Sequence, residues 1–161
     1  MTAIEELMTR NKELGLEKES RPAEPALRVA ILSCMDARID VAATFGLRDG
    51  EAHVMRNAGG VVTDDMIRSL ALSQHKLGTR EVMIMQHTGC GVSAVTEDGF
   101  KDELESATGL RPTWSVEAFT DVEDSVRRSM NRVRRSDFLP HTDQVRGFVY
   151  DINTGALSEV S

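Results

Sequence analysis

Two short segments, residues 28–33 and 81–86, run apolar without polar alternation, through Val29-Ala30-Ile31-Leu32 and Val82-Met83-Ile84-Met85. A strand with one wet face alternates. A strand that does not alternate must be covered on both faces, which is the habit of parallel sheets sandwiched between other elements. This restricts the chain to folds in which strands are separated by crossover segments long enough to return to the same edge.

The rest of the sequence supplies those crossovers. A further strand is expected near His53-Val54-Met55. After it, Thr63 is a helix N-cap, Asp64 and Asp65 suit the first turn, and Met66, Ile67, Leu70, Ala71 and Leu77 form an apolar face that ends at Gly78. A second helix is expected over 122–135, with Val122, Val126, Met130 and Val133 on one stripe, acids at its start and arginines at its end. Residues 147–152 and 156–158, joined by Asn153-Thr154-Gly155, read as a hairpin. The expected fold class is therefore α/β, a mostly parallel β-sheet flanked by helices with a C-terminal antiparallel hairpin. Residues 1–26 are polar, helical over 4–14, and read as an N-terminal arm that packs on something else. Residues 27–161 read as a single domain, which suits a chain of 161 residues.

Charge and composition remove several functions. A net charge of -7 argues against a nucleic-acid partner. No apolar stretch approaches the roughly 20 residues of a membrane span, and the N-terminus lacks a basic region followed by an apolar block. A cytoplasmic protein is expected. Aromatics make up only 4%, which leaves few candidates for an aromatic-lined pocket. The arginine-rich stretch 127–135 reads as a solvated helix face or a subunit contact, and His53, His75 and His141 as structural or solvent-facing.

There are two cysteines, Cys34 and Cys90, which leaves three readings: buried thiols, one bridge, or metal ligands. Cys34 ends the first apolar run and opens Cys34-Met35-Asp36-Ala37-Arg38. His87 ends the third strand and opens His87-Thr88-Gly89-Cys90-Gly91. Ligands of open parallel sheets bind beyond the carboxyl ends of the strands, so neighbouring strands would bring both segments into one crevice. Two thiolates and a neutral imidazole form a good zinc set, and three protein ligands leave a position open for chemistry. Asp36 could accept and orient a proton there, held ionised by a bidentate Arg38, or could itself close the site as a fourth ligand.

With Arg56-Asn57-Ala58-Gly59 between them, these two motifs resemble the β-class carbonic anhydrases, and the Thr108-Gly109-Leu110-Arg111-Pro112-Thr113-Trp114 connection resembles their compact actinobacterial-type branch, which is also similar to carbonyl sulfide and carbon disulfide hydrolases. The resemblance runs from about residue 28 to the C-terminal hairpin. It implies one Zn2+ per subunit on Cys34, His87 and Cys90, with Asp36 and Arg38 as a catalytic dyad. It further implies reversible hydration of CO2 to bicarbonate by a metal-bound hydroxide, and a homodimer or tetramer of dimers whose N-terminal arm wraps the partner subunit. The backbone around Gly59 and Gly60 is expected to form part of the pocket wall. Ile31 stands three residues before Cys34, where bicarbonate-inhibited bacterial members carry tryptophan, so that inhibitory site is not implied. The alternatives are hydrolysis of carbonyl sulfide or carbon disulfide by the same zinc hydroxide, and a structural zinc module with Asp36 as a permanent ligand.

Overall fold

The computed structural model describes residues 2–161. The first apolar run becomes β1 (Val29–Cys34), buried at every position after Val29, and the third becomes β3 (Glu81–His87), buried from Ile84 onward. They lie side by side and parallel, Ile31 opposite Met83 and Ser33 opposite Met85. β2 (Ala52–Asn57) flanks β1 on its other side, with Cys34 opposite Asn57. β4 (Val145–Tyr150) extends the sheet in parallel from β3, and β5 (Leu157–Val160) closes it antiparallel, giving the order β2-β1-β3-β4-β5. The expected α/β class and terminal hairpin are present. The hairpin connection is longer than the three residues expected. Asp151 accepts from the Asn153 and Thr154 amides through its side chain, so residues 151–156 fold back as one capped loop.

The earlier helices are α1 (Ala3–Leu14), the short α2 (Val41–Phe45) and α3 (Asp64–Leu77). Thr63 caps α3 at the Met66 amide, and Gly78 ends it in the left-handed region, as its sequence signals require. α4 (Glu97–Thr108) was not expected. It has a Thr96 cap and a Gly109 stop but buries no residue, so it lacks the apolar stripe by which a helix is recognised. α5 (Val122–Arg134) buries Val126, Met130 and Val133. With α3 it covers one face of the sheet, over Ala30, Leu32, Val82 and Ile84. The close approach of α5 to β4 requires Gly147: a β-carbon there would run into Val126 and come within 2.8 Å of Met130 Sδ. The other face carries Ile31, Met85, Val41, Val61 and Phe119, which enclose the region where the ligand residues stand.

α1 has a complete capping box between Thr2 and Glu5 yet buries none of its residues. The segment after it meets the body through the Lys18–Asp49 ion pair and through backbone bonds from Ala26 and Leu27 to Gly50 and Glu51.

Candidate metal centre

The parallel pairing of β1 with β3 brings together residues more than fifty positions apart. Cys34 at the end of β1, His87 at the end of β3 and Cys90 three residues later offer ligand atoms that all lie within 4.8 Å of one another, and all three residues are buried. The two sulfurs are 3.8 Å apart and unbridged. The Cys34 thiol is held well below its ordinary value, first by its hydrogen bond with Cys90, against the opposing effect of burial, and then by His87. The same contact, reinforced by burial, pushes the Cys90 thiol up. His87 is pulled upward by the adjacent Cys34 sulfur, with burial opposing.

The imidazole shows which cation fits. His87 Nδ1 lies 2.7 Å from the Thr88 carbonyl, which can only accept, so Nδ1 carries the proton. Nε2 is then the ring atom left to bind a metal, buried and without a hydrogen-bond partner among the described residues. A buried ring nitrogen left unpaired is costly, and a metal ion is the partner that two sulfurs and one imidazole nitrogen select. The residues present fit zinc.

Asp36 stands beside this set, its Oδ2 3.7 Å from His87 Nε2. Arg38 grips both carboxylate oxygens, Nε on Oδ1 at 2.9 Å and Nη2 on Oδ2 at 2.7 Å, and adds its backbone amide on Oδ1 at 2.9 Å. That guanidinium holds the Asp36 carboxyl well below the usual carboxylate range. Arg38 also donates to the Gly89 carbonyl at 3.2 Å, tying the first ligand loop to the second.

Behind the ligands, β2 supplies a clamp to which the sequence analysis gave no role. Arg56 donates from Nε to the Cys34 carbonyl at 2.8 Å and from Nη2 to the Asp36 carbonyl at 2.7 Å, while Met35 N donates to the Asn57 carbonyl at 2.8 Å. One turn later the two glycines separate in function. Gly59 faces the cavity in front of the ligands. Gly60 does not: it lies under β1 with a φ of 63°, where a β-carbon would sit 2.8 Å from Cys34 N. It supports the ligand strand from below and is no part of the wall.

The cavity in front of Cys34, Asp36 and Cys90 has a volume of about 660 Å3. Its lining is mainly apolar, with Met35, Val92, Val95 and Val116, and it includes Phe100 and Trp114. Two of the chain's few aromatic residues are therefore at this cavity. A low aromatic content limits how many rings there are, not where the fold puts them, and α4 and the connection after it place two of the chain's few at one cavity. The remaining histidines stand apart from the site: His53 Nδ1 bonds Ser73 Oγ at 2.8 Å, His75 Nε2 bonds the Phe138 carbonyl at 2.9 Å, and His141 pairs through its backbone with Gln74. The arginines of α5 are spent on Glu123, Asp124 and Glu117 and on backbone carbonyls.

Comparison with known proteins agrees with this geometry. A family model described as carbonic anhydrase matches residues 29–157, which span every ligand residue. The chain is 46% identical over 162 residues to beta-carbonic anhydrase 1 of Mycobacterium tuberculosis, covering 100% of this chain and 99% of that protein. It is 32% identical over 151 residues to a carbon disulfide hydrolase of Acidithiobacillus thiooxidans, covering 81% of this chain and 75% of that one. The crystal structure of carbonic anhydrase from Streptococcus mutans superposes with a TM-score of 0.93 at 37% identity, covering 100% of this chain and 99% of that chain. By the family match, the full-length relative and the shared fold, the chain belongs to the β-carbonic anhydrase family.

Proposed function

We propose that the protein catalyses the reversible hydration of CO2 to bicarbonate as a zinc enzyme, with Cys34, His87 and Cys90 holding one ion per subunit. The observation that carries this is the buried, unpaired His87 Nε2 converging with two sulfurs beneath an apolar cavity, with a paired carboxylate at its edge. Bound there, zinc would supply a Lewis acid that makes hydroxide available near neutral pH.

The chain's own residues do the rest. Asp36, kept ionised by Arg38, is too weak a base to take a proton and hold it near neutrality. It is instead a fixed acceptor: Oδ2 would accept a hydrogen bond from the attacking hydroxide, which keeps its hydrogen and has a lone pair turned toward the substrate carbon. Arg38 holds that orientation through three bonds and secures it against Gly89. The lining of Met35, Val92, Val95 and Val116 suits an uncharged linear molecule and disfavours bulk water. The test is metal content together with stopped-flow CO2 hydration. Stoichiometric zinc with fast hydration supports the assignment, and stoichiometric zinc without turnover above pH 7 supports a structural site closed by Asp36.

Hydrolysis of carbonyl sulfide or carbon disulfide is the second reading. The similarity to a carbon disulfide hydrolase and the same apolar cavity favour it. Side-by-side turnover of CO2 and carbonyl sulfide separates the two.

We also propose that residues 1–26 serve a partner subunit in a homodimer or tetramer of dimers. α1 leaves Ile4 72%, Leu7 61% and Met8 57% exposed on one stripe, a face that nothing among the described residues covers. Removing residues 1–16 is expected to lower the number of subunits per particle measured by light scattering, and an unchanged subunit number would reject the arm as an assembly element. No helix is long and apolar enough to cross a membrane. Two thiols committed to a metal and left unbridged fit the reducing cytoplasm.

A further inference from the structure

Trp114 is the chain's single tryptophan, and it stands on a partition between two hollows. On one side is the cavity of about 660 Å3 over Cys34, Asp36 and Cys90. On the other is a surface groove of about 840 Å3 that runs past Asp64, Asp65, Arg135 and Phe138. Thr63, Trp114, Ser115 and Glu117 line both, so these residues stand between the two hollows.

Packing contributes little to this wall. Trp114 is 55% exposed, and neighbouring α4 buries no residue. Charged groups hold it instead. Glu97 at the start of α4 accepts from the Val116 amide at 2.9 Å and the Glu117 amide at 3.1 Å, and is itself paired with Lys101 at 2.9 Å. Glu117 reaches across to α5, where Arg132 donates to its two oxygens at 2.8 and 3.3 Å and to the Val62 carbonyl at 2.6 Å. At the other end Arg111 joins Asp98, Asp102 and Glu105 of α4. Glu117 meanwhile sits at a φ of 59°, in the left-handed region that favours glycine. A glutamate remains there only where its surroundings over-determine its place, and here amide and carboxylate are both engaged.

We propose that Trp114, set in place by Glu97 and by the Glu117–Arg132 pair, fixes the breadth of the substrate cavity and so selects among linear electrophiles by size. Trp114 is a specificity-determining residue in this scheme, and Glu117 a positioning residue that acts through it. The proposal rests on the cavity being the substrate site. With the indole removed, the cavity opens into the groove, and larger ligands gain relative to small ones. The neighbouring apolar residues still favour uncharged molecules, so the change is in shape and not in charge.

The test uses zinc-loaded wild type, Trp114→Ala, Trp114→Phe and Glu117→Gln. Affinities for thiocyanate and for benzenesulfonamide are measured by calorimetry, and kcat/KM for CO2 and for carbonyl sulfide alongside them. Trp114→Ala is expected to raise the sulfonamide-to-thiocyanate affinity ratio and the carbonyl sulfide-to-CO2 ratio by about tenfold, the scale on which pocket shape discriminates. Trp114→Phe should return both most of the way. Glu117→Gln should move both ratios in the same direction by a smaller factor while making Trp114 more readily quenched by acrylamide, a readout specific to this position because there is no other tryptophan. Ratios unchanged in Trp114→Ala overturn the proposal, and if that variant does not fold, unchanged ratios in Glu117→Gln do so. If the wild type turns over neither substrate, the catalytic reading fails, while the two anion affinities still decide whether Trp114 sets the cavity's breadth.

Discussion

The inner rim of the cavity and its outer wall are built by different physics. The rim consists of the loops after β1, β2 and β3, where Cys34, Asp36, Gly59, His87 and Cys90 follow directly from strand ends whose register is set by the buried sheet. Arg56 and the Asn57 carbonyl lock it through backbone groups, and Gly60 allows it to sit close against β1. The outer wall, α4 and the segment after it, contributes almost nothing to the core and is held by exposed carboxylate–guanidinium pairs and one glutamate at positive φ. The site thus pairs a rigid floor that positions charge with a wall whose place depends on a few side chains. Local stability can differ widely within one domain in this way.

The largest effects are expected on the floor. Cys34→Ser or Cys90→Ser should lower zinc affinity by more than the roughly 10–100-fold typical of an outer-shell change, read by competition with a chelator. Asp36→Ala should keep stoichiometric zinc and fold normally, yet lose roughly a hundred- to ten-thousand-fold in kcat by stopped flow. Loss of zinc in Asp36→Ala would instead mark that carboxylate as a ligand.

A glycine pair sharpens the contrast at the level of stability. Gly60→Ala meets Cys34 N at 2.8 Å and Ser33 C at 2.9 Å at a φ of 63°, and should cost about 2 kcal/mol or more in urea unfolding. Gly109→Ala at the end of α4 has the same left-handed backbone, with a φ of 78°, but nothing within 4 Å, and should cost about 1 kcal/mol. Equal costs would erase the distinction between rim and wall.

The smallest effect concerns pH. The Val116 amide and Lys101 hold the Glu97 carboxyl below its ordinary value. A depressed carboxyl contributes its full support above the unfolded value of about 4.3, and that support is lost only as pH falls through the lower, folded value. Trp114 emission should therefore stay constant from pH 8 to pH 5 and change only on further acidification. A transition near neutrality would show that another group holds the wall.

Most of the rim was legible in the sequence because its elements are local and strongly patterned. The unalternated runs mark β1 and β3, Thr63 and Gly78 bracket α3, and the apolar stripe marks α5. The wall was not legible for the converse reason. α4 offers only Phe100 and Leu104 as large apolar side chains, with Gly99 in its first turn, and its local signals were confined to its ends: Thr96, the acids Glu97 and Asp98, and Gly109. The connection after it has no periodicity, so nothing in its spacing placed Trp114 at the site. Arg56 and Asn57 stood in the family-like motif, but their work is done on carbonyls and amides of another strand, which no spacing rule reveals.

By itself, then, the sequence determined which residues could bind a metal, because short motifs at strand ends carry their own chemistry in a few consecutive positions. Only the tertiary structure decided that β1 lies beside β3, that Gly60 supports the ligand strand while Gly59 faces the cavity, and that the chain's one tryptophan stands at that cavity. Those facts depend on strand order, on close backbone approach and on ion pairs between distant segments, and such long-range contacts exist only once the chain has folded.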